Sequence, residues 1–143
     1  MLGRAGAPVS IVWRDPPGTI HTSAMEPPRI VRGNILLPPH YESRDSPFVV
    51  VVRVEDVSRA DAPSAIVAEH RREWVPVEGV RELPFAVEIP ESAIDPRHTY
   101  SVFVHFSSRA SPEIERGDLI STQSHPVLTR GAGTTAQVPV KVV

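Results

Sequence analysis

The sequence predicts an all-β fold: an antiparallel β-sandwich of about seven strands with Greek-key connections, immunoglobulin-like or transthyretin-like. Three observations point there. Apolar residues recur with period two in short runs, most clearly at Tyr100, Val102, Val104 and Phe106, opposed by Ser101, Phe103, His105 and Ser107. Turn signals separate these runs at intervals of roughly 8–15 residues. Sixteen of the 143 residues are proline, twice the number that an average usage of ~5% gives. Proline lacks an N–H and clashes with a preceding helical turn, so its spread between β-branched runs favours short strands joined by stiff turns.

In chain order, residues 1–28 form a leader rich in proline (Pro8, Pro16, Pro17, Pro27 and Pro28), expected to be flexible. Its apolar patch at 9–13, ending in Trp13, is the one part able to add an edge strand. The β-sandwich domain is expected over residues 29–143. Val31, Gly33, Ile35 and Leu37 share one face of a first strand, which Pro38 and Pro39 end. Phe48, Val50, Val52 and Val54 share a face of a second. Val49 and Val51 make its other face apolar as well, which predicts a central, doubly covered strand. Phe85, Val87 and Ile89 alternate in a further strand, and short pieces are expected at Leu119–Ser121 and Val127–Thr129. Val138, Val140 and Val142 read as one closing strand. Residues 64–74 are ambiguous. Ile66, His70 and Trp74 line up on a helix and also share a face of a strand, and Asp61-Ala62-Pro63 could start a helix.

Composition excludes several functions. Fifteen Lys and Arg against 17 Asp and Glu give a net charge of −2, so charge offers no support for nucleic-acid binding. Cysteine is absent, which rules out disulfides, thiolate chemistry and Cys-based metal sites. No stretch approaches the roughly 20 apolar residues of a membrane span, and the patch at 9–13 is shorter than a signal-peptide core of about 7–15 residues.

Chemistry-bearing motifs are sparse. The six histidines form no HxH or HExxH pattern; His70 and His105 are the pair that strands could bring together, with Glu69 or Glu73 nearby. The acidic run 55–61 has neither the glycine nor the ligand spacing of a calcium loop. Asp56, Ser58 and Asp61 are instead expected to bond backbone N–H groups in a turn, with Arg59 pairing to an aspartate. Ser58, Asp61 and His70 make a triad only on paper, since no nucleophile motif surrounds them. No catalytic residue, metal or cofactor is implied, and an enzyme is not expected.

The segment VVVVRVEDVSRADAPSAIVAE resembles the YbaY/YscW-type lipoprotein family, through Val50, Val52, Val54, Asp56, Ser58, Ala60, Asp61, Ala62, Pro63, Val67, Ala68 and Glu69. Val31-Arg32-Gly33-Asn34-Ile35, Leu83-Pro84-Phe85, Ile94-Asp95-Pro96, Tyr100-Ser101-Val102, Gly117-Asp118-Leu119 and Pro126 to Gly131 resemble further family segments in the same order. The resemblance covers about residues 29–143. It implies a strand, not a helix, after Asp61-Ala62-Pro63. It also implies a bacterial envelope protein, lipid-anchored in many members, with one branch acting as a pilotin that escorts an outer-membrane secretin of a type III secretion system. This sequence departs from the family in having no anchoring cysteine and no signal-peptide core. The expected location is therefore the periplasm or envelope by resemblance, or the cytoplasm if the chain is complete as given.

The expected function is non-enzymatic binding of a protein partner or client segment, by strand addition at an open edge or in an apolar inter-sheet groove. Trp74, Phe103 and Trp13 are the candidate partner-binding residues, each with a core or edge role as the simpler alternative. A pocket with two aromatics and convergent polar groups would instead favour a small-ligand or glycan-binding sandwich. The sequence is silent on oligomeric state.

Overall fold

The structure, a computed structural model, describes residues 28–41, 46–59 and 61–143. Residues 1–27 of the expected leader, with Trp13, lie outside the described residues. Among the described residues, nine strands follow in chain order: β1 (Arg29–Leu36), β2 (Phe48–Asp56), β3 (Ala65–Trp74), β4 (Glu82–Ile89), β5 (Tyr100–Ser107), β6 (Leu119–Ile120), β7 (Pro126–Val127), β8 (Thr135–Pro139) and β9 (Lys141–Val142). The one helical element among the described residues is a 3-10 turn at Glu91–Ala93. The ambiguous segment is a strand, as the resemblance implied.

Two sheets form. One has the order β4-β1-β8; the other runs β3-β2-β5-β6-β9, with β7 pairing the start of β5. Among the described residues, all pairings are antiparallel except β1 with β8, which is parallel. The expected all-β antiparallel sandwich is what forms, with this one parallel pairing within it. β2 takes the central place its doubly apolar start predicted: it lies between β3 and β5, and Val51 on its outer side is only 3% exposed.

The alternating residues meet between the sheets. Val31, Ile35, Phe85, Val87 and Ile89 from one sheet face Phe48, Val50, Val52, Val54, Val102, Val104 and Phe106 from the other, all buried. Removing each such side chain from water contributes about 1.5–3 kcal/mol, and this burial fixes which face of every long strand points inward.

Two details depart from simple alternation. The expected single closing strand is split. Pro139 ends β8, the Val140 N–H still donates to the Leu36 carbonyl at 3.0 Å, and Lys141–Val142 then pair with β6 in the other sheet. The chain thus passes from one sheet to the other and closes that side of the sandwich. Val138 and Val140 are buried, whereas Val142 is 48% exposed. In β3, the register shifts between Val54 and Glu55: Val54 is opposite Ala68, and Glu55 is opposite Ile66. Val67 is the extra residue of a β-bulge, so Ile66 turns to the outer face while His70 and Trp74 keep the inner one. The expectation that all three share a face is corrected by that one residue.

Candidate functional site

The side opposite the β8–β9 crossing is open. It is bounded by β3 in one sheet and β4 in the other, and each pairs with a single neighbour among the described residues. The two edges are not equivalent. On β4, the Pro84 carbonyl accepts a hydrogen bond from Arg72 Nη2 at 2.9 Å, so the N and O of Pro84 point away from β1. A proline whose missing N–H falls on the free edge blocks the addition of another strand there. β3 carries ten residues, contains no proline or glycine, and is the longest strand among the described residues. It is the edge left open to pairing.

Charges pattern this edge. Register with β2 places Glu69, Arg71 and Glu73 on the outer face, opposite Arg53, Val51 and Val49. Arg71 donates to Glu69 at 3.3 Å, and Arg53 lies 3.7 Å from the same carboxylate. Ala68, His70, Arg72 and Trp74 face inward, opposite Val54, Val52, Val50 and Phe48. Burial, and then the nearby Arg72 guanidinium, push the His70 pKa below its ordinary value, which keeps the ring neutral at pH 7. Exposed apolar residues bracket the strand: Ile66 near its start, Val75 and Val77 just beyond its end.

Trp74 sits at the end of this edge, half-buried. Its ring stacks on Phe48 at 6.5 Å and meets Phe106 edge-on at 5.8 Å, with Tyr41 at 6.2 Å. Beside it, a shallow cleft of about 550 Å³ is lined by Pro39, His40, Tyr41 and the turn 76–81. Tyr41 is the only aromatic in its lining, and the Tyr41 hydroxyl donates to the Val80 carbonyl at 3.4 Å. Phe103 lies elsewhere, half-buried on the outer face of β5, where it pairs with Arg53 in register and holds its guanidinium 5.8 Å above the ring. The structure therefore separates Trp74 from Phe103: they lie on opposite faces of one sheet.

The remaining polar groups are structural. His70 and His105 do not meet, because His70 faces inward opposite Val52 and His105 outward opposite Val51. No group of three or more metal-ligating side chains occurs among the described residues. Asp56 acts as the expected turn-former. It accepts from the Ser58 N–H at 3.0 Å and hydroxyl at 2.6 Å, and lies 2.7 Å from His98 Nδ1.

A buried carboxylate, Asp118, was not legible in the sequence. Asp118, fully buried, accepts from the Ser108 N–H and hydroxyl, from the Glu115 N–H, and lies 2.8 Å from His105 Nε2. It ties the loop 108–118 over the outer face of β5. The polar position of His105 within an alternating strand was its only signal.

The geometry defines the class: a two-sheet β-sandwich closed on one side by a strand that changes sheets and open on the other along β3. The chain belongs to the family described as type III secretion system lipoprotein chaperone (YscW), which it matches over residues 29–140. In fold it is similar to an alternative pilotin from the type II secretion system of Vibrio cholerae, with a TM-score of 0.64 at 22% identity, covering 81% of this chain and 97% of that one. A comparison with curated proteins gave no match. No helix among the described residues is long and apolar enough to cross a membrane.

Proposed function

We propose that this protein is a non-enzymatic secretion chaperone of the pilotin kind, which binds an extended segment of a protein client by strand addition along β3. The single observation that carries this reading is the open edge: ten residues with one paired side among the described residues, no blocking proline, and exposed apolar residues at both ends. Main-chain hydrogen bonds along such an edge supply affinity, and alternate side chains supply selectivity. Membership of the secretion-chaperone family supports a protein client, and the envelope as the place of action. The small-ligand alternative asked for a pocket with two aromatics. The cleft beside Trp74 has one, and its hydroxyl is already engaged.

The test uses overlapping peptides spanning an outer-membrane secretin of the source organism, with amide hydrogen exchange as the readout. The expected result is binding of one peptide in the micromolar range, with slowed exchange confined mainly to 65–74. Binding that leaves those amides unchanged, or no binding across the set, overturns the proposal.

A further inference from the structure

The same edge is charge-complementary to itself. We infer that, when no client is bound, β3 pairs antiparallel with β3 of a second copy about a two-fold axis at His70. This inference does not depend on the identity of the client.

A two-fold axis perpendicular to the sheet keeps outer faces with outer faces, so residues whose numbers add to an even total lie opposite one another. Three registers are then close at hand. Centred on Arg71, the pairing sets Arg71 against Arg71 and Glu69 against Glu73, which juxtaposes like charges throughout the outer face. Centred on Arg72, it sets Arg71 against Glu73, but brings the two Arg72 residues together at the axis, where each already holds the Pro84 carbonyl of its own chain. Centred on His70, it sets Glu69 against Arg71 twice on the outer face and Arg72 against Ala68 twice on the inner. The residue meeting its own copy is then a histidine that burial keeps neutral.

Opposite charges directly across an antiparallel pair stabilise it, and like charges destabilise it, so only the last register is favourable on both faces. The bulge at Val67 confines the new ladder to 68–72. Arg71, 55% exposed at its side chain, is free to turn from Glu69 of its own strand to Glu69 of the second copy. A ladder this short buries less than the ~1,200 Å² of a standard interface, so the expected dimer is weak, in the range of about 10–100 µM.

Two charge reversals test the register. Glu69→Arg sets arginine against arginine, and Arg71→Glu sets glutamate against glutamate. In an equimolar mixture, however, one chain offers two arginines at these positions and the other two glutamates. Sedimentation velocity from about 5 µM to about 1 mM should show wild-type dimer, each reversal weakened about tenfold or more, and recovery in the mixture. Hydrogen exchange should slow at 68–72 as wild-type concentration rises. Thermal unfolding confirms that both variants fold. A wild-type monomer at every concentration overturns the inference and leaves the edge to a client alone. A dimer indifferent to both reversals, or a mixture that stays monomeric, overturns it equally.

Discussion

The main-chain carbonyl of Ala136 occupies the place that a Cβ on Gly33 would need, with the Ala136 carbonyl carbon at 2.8 Å from that position. The two residues are register partners in the parallel pairing between β1 and β8. Gly33 is thus required by the close passage of a backbone, not by its φ angle. Gly33→Ala should force β8 off β1 and cost about 3 kcal/mol, read as a lowered urea midpoint. A midpoint within error of wild type would contradict the close approach.

Asp118 should dominate the acid stability of the loop 108–118. Burial pushes its carboxyl pKa up, but hydrogen bonds from His105, the Ser108 side chain, and the Glu115 and Ser108 N–H groups together outweigh it, so the carboxyl sits below its usual value. A depressed folded-state pKa contributes stability that is present above the unfolded value, about 3.9, and is lost as pH falls through the folded one. Asp118→Asn should abolish that part of the decline below pH ~4 and cost about 3 kcal/mol at pH 7, because an amide N–H then meets donors. Chemical denaturation at several pH values measures both.

Trp74 belongs to the core cluster as much as to the edge. Trp74→Ala should destabilise the fold by about 3 kcal/mol through loss of contact with Phe48 and Phe106, whereas Trp74→Phe should cost roughly 1 kcal/mol. Thermal unfolding of both separates a packing role from a binding role: if Trp74→Ala leaves stability unchanged, the indole serves a partner and not the core.

Ala110 adopts φ 57° in the loop after β5, a left-handed conformation that costs an L-residue roughly 1–2 kcal/mol. Its side chain is exposed. Ala110→Gly should therefore raise stability by about 0.5 kcal/mol once the greater freedom of glycine in the unfolded chain is subtracted. A lower midpoint in urea would show that the methyl group makes a contact worth more than the strain.

Much of the fold was legible because burial of one sheet face imposes period two on the residues that form it. Tyr100 to Phe106 shows that period most clearly, and Phe48 to Val54, apolar on both faces at its start, signalled a doubly covered place; both are central strands. Asp56 was legible as a turn-former because its bonds with Ser58 reach only two residues along the chain, whereas the contacts of Asp56 with His98 and of Ser58 with Thr99 span about forty residues and were not. The candidate site was legible only in part. Trp74 and Phe103 stood out as large apolar groups, yet alternation along one strand does not say what lies beside it, so their separation onto opposite faces was not apparent. The bulge at Val67 was equally hidden, since one extra residue in β3 has meaning only against its register with β2.

Local and period-two information in the chain thus determined the strands, their inward faces, the turn after β2 and the likeness to a secretion-chaperone family. Tertiary structure decided the rest: which strands became edges, that Pro84 closes one edge while β3 stays open, that the chain changes sheets at Val140, and that Asp118 meets His105 thirteen residues away. Those relationships arise between segments distant in sequence, where pairing is set by how two twisted sheets share one core. No local preference of the residues involved encodes that arrangement.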